Sequence, residues 1–109
     1  MRLHNEPFCS IKNGTKTIEI RLNDEKRQLI KVGDTIEFEN RVNKEKINVR
    51  VIALHKFNNF IELYESFDKI SLGYNEKDIA DPSDMELYYS KEEQNKYGVL
   101  GIEIVLISN

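Results

Sequence analysis

The sequence predicts an α+β fold: a small β-barrel of mixed, mostly antiparallel strands, closed or half-closed, with short helices at its rim. Three observations predict it. Strand-like runs lie before residue 58 and after residue 98, helical patterns with caps fill the stretch between, and the outermost strand regions are too far apart in sequence to pair as a hairpin. At 109 residues the chain fits one domain over 1–109, because a single core supports that size.

Met1 to Asn5 can open as a short strand. Pro7 then sets φ for a first helical turn, with Phe8, Ile11 and Cys9 supplying a small apolar face, and Asn13-Gly14 ends the helix through a left-handed cap. Thr17 to Leu22 alternates strictly. Ile18, Ile20 and Leu22 are expected inward, and Thr17, Glu19 and Arg21 outward. Asn23 to Arg27 is a charged loop, and Val32-Gly33-Asp34 turns the chain into a strand from Thr35 to Glu39. The polar Asn40–Lys46 stretch suits a hairpin connection to a long strand, Ile47 to Phe57. Ile47, Val49 and Val51 share one parity there and Ile52 and Leu54 the other, which predicts a bulge or a strand buried on both sides.

From Asn58 the period becomes helical. Asn59 caps a helix with Glu62 at its third position, and Phe60, Leu63, Tyr64 and Phe67 line one face. Asp81-Pro82 starts a second helix with Met85, Tyr88 and Tyr89 on its apolar side; Ser90-Lys91-Glu92-Glu93 is a capping box for a third, which stops near Tyr97-Gly98. Branched aliphatics from Val99 to Ile107 make the closing strand.

Composition narrows the function classes. Aliphatics and aromatics recur throughout, so 39 % hydrophobic against 32 % charged residues describes a folded, wet domain rather than a disordered one. A single cysteine cannot form an internal disulfide, and Cys9 is expected as a small buried hydrophobe. Neither an apolar leader nor a run of about 20 apolar residues is present, which predicts a cytoplasmic protein with no membrane contact. Net charge is −3, but residues 1–56 hold 12 Lys/Arg and 8 Asp/Glu while residues 57–109 hold 4 and 11. A positive face can therefore exist on the amino-terminal half. No phosphate-cradling glycine loop, zinc-type cysteine pair or Ser-His-Asp spacing occurs, so no metal or cofactor is expected. His4 and His55 are read as hydrogen-bonded structural histidines.

What remains is Gly14-Thr15-Lys16-Thr17-Ile18-Glu19-Ile20-Arg21. Glu19 and Arg21, two apart on a strand, share a face. Lys16 has the opposite parity, but an ammonium is not buried unpaired, so it is expected at the turn mouth beside Glu19 and Arg21. Such a group can bind a phosphate or a polar base edge, or hold a lysine near a scissile carbonyl. It can equally be a surface ion-pair strip, worth about 0–1 kcal/mol.

The string GTKTIEIR resembles the Gly-x-Lys-x-x-Glu-x-Arg signature of the ASCH domain family, matched at Gly14, Lys16, Glu19 and Arg21. The likeness continues through IKVGDTIEF (Ile30 to Phe38) and KYGVLGIEI (Lys96 to Ile104), hence over nearly the whole chain. The resemblance implies a stand-alone PUA-like β-barrel of bacterial type, and RNA binding in a cleft between barrel and helices that the signature residues face. Some members resemble ribonucleases, and one subgroup removes the acetyl group of N4-acetylcytidine with the motif lysine assisting a threonine. Glu19 occupies that threonine's position here, and Glu65 and Asp68 are the candidates for the subgroup's further carboxylate.

Two function classes follow, with a third behind them. In a binding module, RNA or a modified nucleoside occupies the cleft: Gly14, Lys16, Glu19 and Arg21 form the site, Lys26, Arg27 and Lys31 extend contacts along the backbone, and Tyr88 or Tyr97 stacks on a base. In a hydrolase acting on a nucleoside amide or on RNA, Lys16 transfers the proton and Glu19 is the general base. A protein-interaction domain would use the acidic second half.

Overall fold

The computed structural model describes residues 1–108. It contains five strands, β1 (Arg2–Leu3), β2 (Ile18–Leu22), β3 (Thr35–Asn40), β4 (Lys46–Phe57) and β5 (Val99–Ser108), and three α-helices, α1 (Asn5–Lys12), α2 (Phe60–Ser66) and α3 (Lys91–Tyr97). Short 3₁₀ helices cover Arg27–Leu29 and Pro82–Leu87. The strands make one sheet in the order β1–β3–β4–β5–β2. β1 runs parallel to β3, and the other neighbouring pairs are antiparallel.

The sheet curls into a half-barrel. β1 and β2 are its opposite edges, yet Arg2 and Leu3 line the same cavity as Ile20 and Arg21. Curling is helped where β4 and β5 lose register. Val51 pairs with Ile104 and Ala53 with Glu103, so β4 carries one extra residue at Ile52. A bulge bends a strand and strengthens its twist. Of the two arrangements the parity switch from Val51 to Leu54 allows, the register shows the bulge, and Ile52 itself is 46 % exposed because the extra residue points away from the core.

The barrel interior is filled by Phe8 and Ile11 of α1, Phe38 of β3, Val49 of β4, and Leu100 and Ile102 of β5. A second cluster lies on the outer side of β2 and β5, where Ile18, Ile20 and Val99 pack against Phe60 and Leu63 of α2 and against Leu72. Gly101 permits that approach: a Cβ there would lie 3.3 Å from Ile18 and 3.4 Å from Phe67.

The expected faces of β2 need correction. Directly paired residues share a face, and Glu19 is opposite Ile102 while Arg21 is opposite Leu100, both barrel-core residues. The charged side of β2 therefore faces the barrel mouth, and its apolar side lies under α2. Both faces are covered, and Glu19 is 3 % exposed. Alternation identifies two faces but does not say that helices will cover the second.

Other differences are smaller. α1 begins at Asn5, with Pro7 as its third residue, where the absent N–H would have no helical partner anyway. Cys9 is exposed, its thiol directed at Asn5 Oδ1 (3.6 Å), because Phe8 and Ile11 alone occupy the buried stripe of so short a helix. Asn59 Oδ1 accepts from Glu62 N (2.9 Å) as expected, but the Glu62 carboxylate reaches back to Asn58 N rather than to the cap residue. Ser90 and Glu93 make the full capping box. The Asp81-Pro82 start leads into a 3₁₀ helix, and Tyr88, expected on its apolar side, is 60 % exposed. Among the described residues, no helix is long and apolar enough to cross a membrane.

Candidate functional site

The open seam between β1 and β2 is the mouth of a cavity of about 520 Å³. The sheet supplies its floor, and the segment from Leu72 to Tyr89 supplies its roof. Lys16 enters from the turn before β2. The Gly14 φ of +88° lets the chain leave α1 sharply, and Thr17 N and Ile18 N both donate to Ser71 O at 3.0 Å, tying this turn to the residue just before the roof. Gly73 lies directly over the Lys16 stem: a Cβ there would fall 2.9 Å from Lys16 Cδ.

On the floor, Glu19 stands between two cations. Lys16 Nζ is 3.0 Å from Glu19 Oε1, and Arg21 Nη2 is 2.9 Å from Oε2, with Arg21 Nε donating to the same oxygen at 3.1 Å. The side chains of Lys16 and Glu19 are 8 % and 4 % exposed and that of Arg21 16 %, which removes the surface-strip reading. Burial by itself raises the Glu19 pKa, but Lys16 and Arg21 outweigh it and hold the carboxyl below its ordinary value. For Arg21, burial pulls the pKa down and the Glu19 carboxylate more than restores it, with the Tyr89 hydroxyl adding to the rise. The triad thus holds two positive charges against one negative, in a site largely cut off from water. Burial, then Arg21, with a smaller push from Lys26, also lowers the pKa of the Met1 amine, which donates to Glu37 O.

The structure brings Lys16, Glu19 and Arg21 together as the sequence predicted, and Tyr88 joins them on the cavity wall. It does not bring the other predicted residues there. Gly14 shapes the turn. Arg27 pairs with Asp24 at 3.3 Å, and Lys31 N bonds Asp34, both outside the cavity lining, as is Lys26. Tyr97 borders a separate polar cavity of about 470 Å³, with Lys96 Nζ 5.0 Å from its ring centroid. Neither Glu65 nor Asp68 lines the main cavity, and Asp68 is occupied by Ser71 N and Oγ. His55 bonds Glu103 at 2.9 Å and meets the Phe67 edge, the structural role expected for it. His4 is exposed at the cavity rim.

Several lining residues were not foreseen. Arg41 and Glu6 come from the ends of β3 and α1, and Tyr64, Tyr74, Asp78 and Asp84 from α2 and the roof. The helical period of α2 accounts for Tyr64 as a core-face residue and gives no sign that it reaches the cavity. The available signal was compositional: from Asp68 to Ala80 the chain has little helix or strand period yet carries Asp68, Tyr74 and Asp78, and exposed loops are where function concentrates. Among the described residues, no group of three His, Cys, Asp or Glu side chains is placed to hold a metal ion.

No curated protein matches this chain. Two solved structures are similar over essentially its whole length. The crystal structure of the hypothetical protein PH0355 shares 33 % identity at a TM-score of 0.82, over 98 % of this chain and 96 % of that one. The solution NMR structure of protein PF0455 from Pyrococcus furiosus also shares 33 % identity, at a TM-score of 0.69 over 100 % of both chains. The family model described as the ASCH domain matches residues 1–108. With that model matching nearly the whole chain, the chain belongs to the ASCH domain family.

Proposed function

We propose that this protein binds single-stranded RNA, or a modified nucleoside within it, in the seam cavity in the cytoplasm. The observation that carries the reading is the buried Lys16–Glu19–Arg21 triad at the foot of a tyrosine-lined cavity. A volume of about 520 Å³ lies within the usual range for small-ligand sites and leaves room for one unstacked nucleotide. The excess positive charge of the triad, with Arg2 and Arg41 at the sheet side, suits a phosphate, and Tyr88 or Tyr89 suits a base face.

The same triad weighs against a hydrolase. Glu19 is held ionised by two cations, which makes it a weak base. A general base works best with a pKa near the working pH, and Glu19 is shifted away from it. Fluorescence anisotropy with labelled RNA hexamers tests the binding reading. Affinity is expected to fall steeply with added salt, and Lys16→Ala or Arg21→Ala to lower it about tenfold or more, a charge-assisted bond being worth roughly 1.5–3 kcal/mol. Affinity indifferent both to salt and to Lys16→Ala would sink it.

A further inference from the structure

The roof carries a hydrogen-bond chain whose direction is fixed. Tyr74 has one hydroxyl proton, and its Oη donates to Asp84 Oδ2 at 2.8 Å, with the Asp81 carbonyl at 3.4 Å as the other acceptor within reach. The 2.9 Å contact between Tyr64 Oη and Tyr74 Oη must then use the Tyr64 proton. Tyr64 is thereby left with lone pairs only. Tyr64 and Asp84 both line the cavity, so this side of it carries two acceptors, the Tyr64 oxygen and the Asp84 carboxylate. Burial, foremost, raises the pKa of both tyrosines, so the chain keeps both protons at neutral pH.

On the opposite side Arg2, Lys16, Arg21 and Arg41 can only donate, and the Glu19 carboxylate among them is taken up by Lys16 and Arg21. A ligand that meets both groups therefore offers acceptors to these cations and donors to Tyr64 and Asp84. A phosphate satisfies the first. For the second, an exocyclic amine has two protons and can bridge two acceptors. Uracil has one ring N–H between two keto oxygens, and presenting it to the roof would set a keto oxygen against a carboxylate.

We infer that Tyr64, oriented through Tyr74 by Asp84, selects nucleobases that carry an exocyclic amine over uracil. Tyr64 is the specificity-determining residue, and Tyr74 and Asp84 are positioning residues. This rests on the RNA-binding reading and adds to it a preference that the triad alone does not supply.

The test compares hexamers of cytidine, adenosine and uridine by anisotropy with the intact protein. Cytidine and adenosine hexamers are expected to bind about tenfold more tightly than uridine, within the 1–3 kcal/mol that base-edge contacts supply. Tyr74→Phe frees the Tyr64 proton to point into the cavity and should cut the preference to near unity. Asp84→Asn lets an amide donate to Tyr74, which reverses the chain and should turn the preference toward uridine. A purely structural role for these residues would weaken all hexamers alike and keep their ratio, and that result overturns the inference. So does equal binding of all hexamers by the wild type with the salt dependence intact, which leaves RNA binding standing. Failure of any hexamer to bind removes both readings.

Discussion

Glu19 is held by what surrounds it rather than by what it contributes alone. A carboxylate taken almost fully out of water costs several kcal/mol unless paired, and here two cations pair it. Glu19→Ala leaves Lys16 and Arg21 repelling each other in the same buried space, so it should lower stability by about 3–5 kcal/mol, as removal of one partner of a buried pair does. Urea unfolding measures this, and a loss below about 1 kcal/mol would restore the value of an exposed pair. The pH dependence has a definite sign. Glu19 has a folded pKa below its unfolded value near 4.3, so its contribution is complete above that pH and is lost as pH falls through the folded pKa. Wild-type stability should therefore drop on acidification below about pH 4.3. Glu19→Gln, which cannot titrate, should start less stable and show a shallower drop. The convergence of these three residues was legible from spacing and from the cost of an unpaired lysine. Their burial was not, because it depends on β5 register and on a roof residues away in sequence.

At the scale of elements, the caps and periods were legible because they are local. Asn59 accepts from Glu62 N, and Asn59→Ala should cost about 1 kcal/mol, read as a lowered urea midpoint with an unchanged slope. The parity switch in β4 narrowed the irregularity there to a bulge or a strand buried on both sides, and only the pairing with β5 decides for the bulge. The roof was not legible: from Asp68 to Ala80 the chain turns without a repeating period, and its position is set by tertiary bonds such as Ser71 O to β2. Gly73 shows how closely roof and floor are fitted. Its φ is +103°, and a methyl group there would meet Lys16 Cδ at 2.9 Å. Gly73→Ala is expected to cost about 1–2 kcal/mol for the left-handed backbone. It should also displace Lys16 from Glu19, so RNA affinity falls beyond what partial unfolding explains. A variant that binds normally at full folding would mean that Lys16 adjusts freely.

The molecule as a whole combines a well-bonded sheet with a roof held by few regular bonds. β4 and β5 pair over most of their lengths, and their side chains fill the barrel core. Roof residues 72–89 are tied instead through turns, the Tyr64–Tyr74–Asp84 chain and packing of Leu72, Met85 and Tyr89 against the outer cluster. Local opening free energies track that kind of difference. Amide hydrogen exchange should therefore be slowest in β4 and β5 and markedly faster across 72–89. Because the roof supplies one wall of the cavity, a ligand that bridges roof and floor must slow exchange in the roof, by an amount set by the ratio of ligand concentration to Kd. A cytidine hexamer should slow amides at 72–89 and leave the centre of β4 unchanged. Protection confined to the Tyr97 cavity would place RNA elsewhere on the surface, and roof amides as slow as those of β5 would mean that the seam is closed by a unit as stable as the barrel.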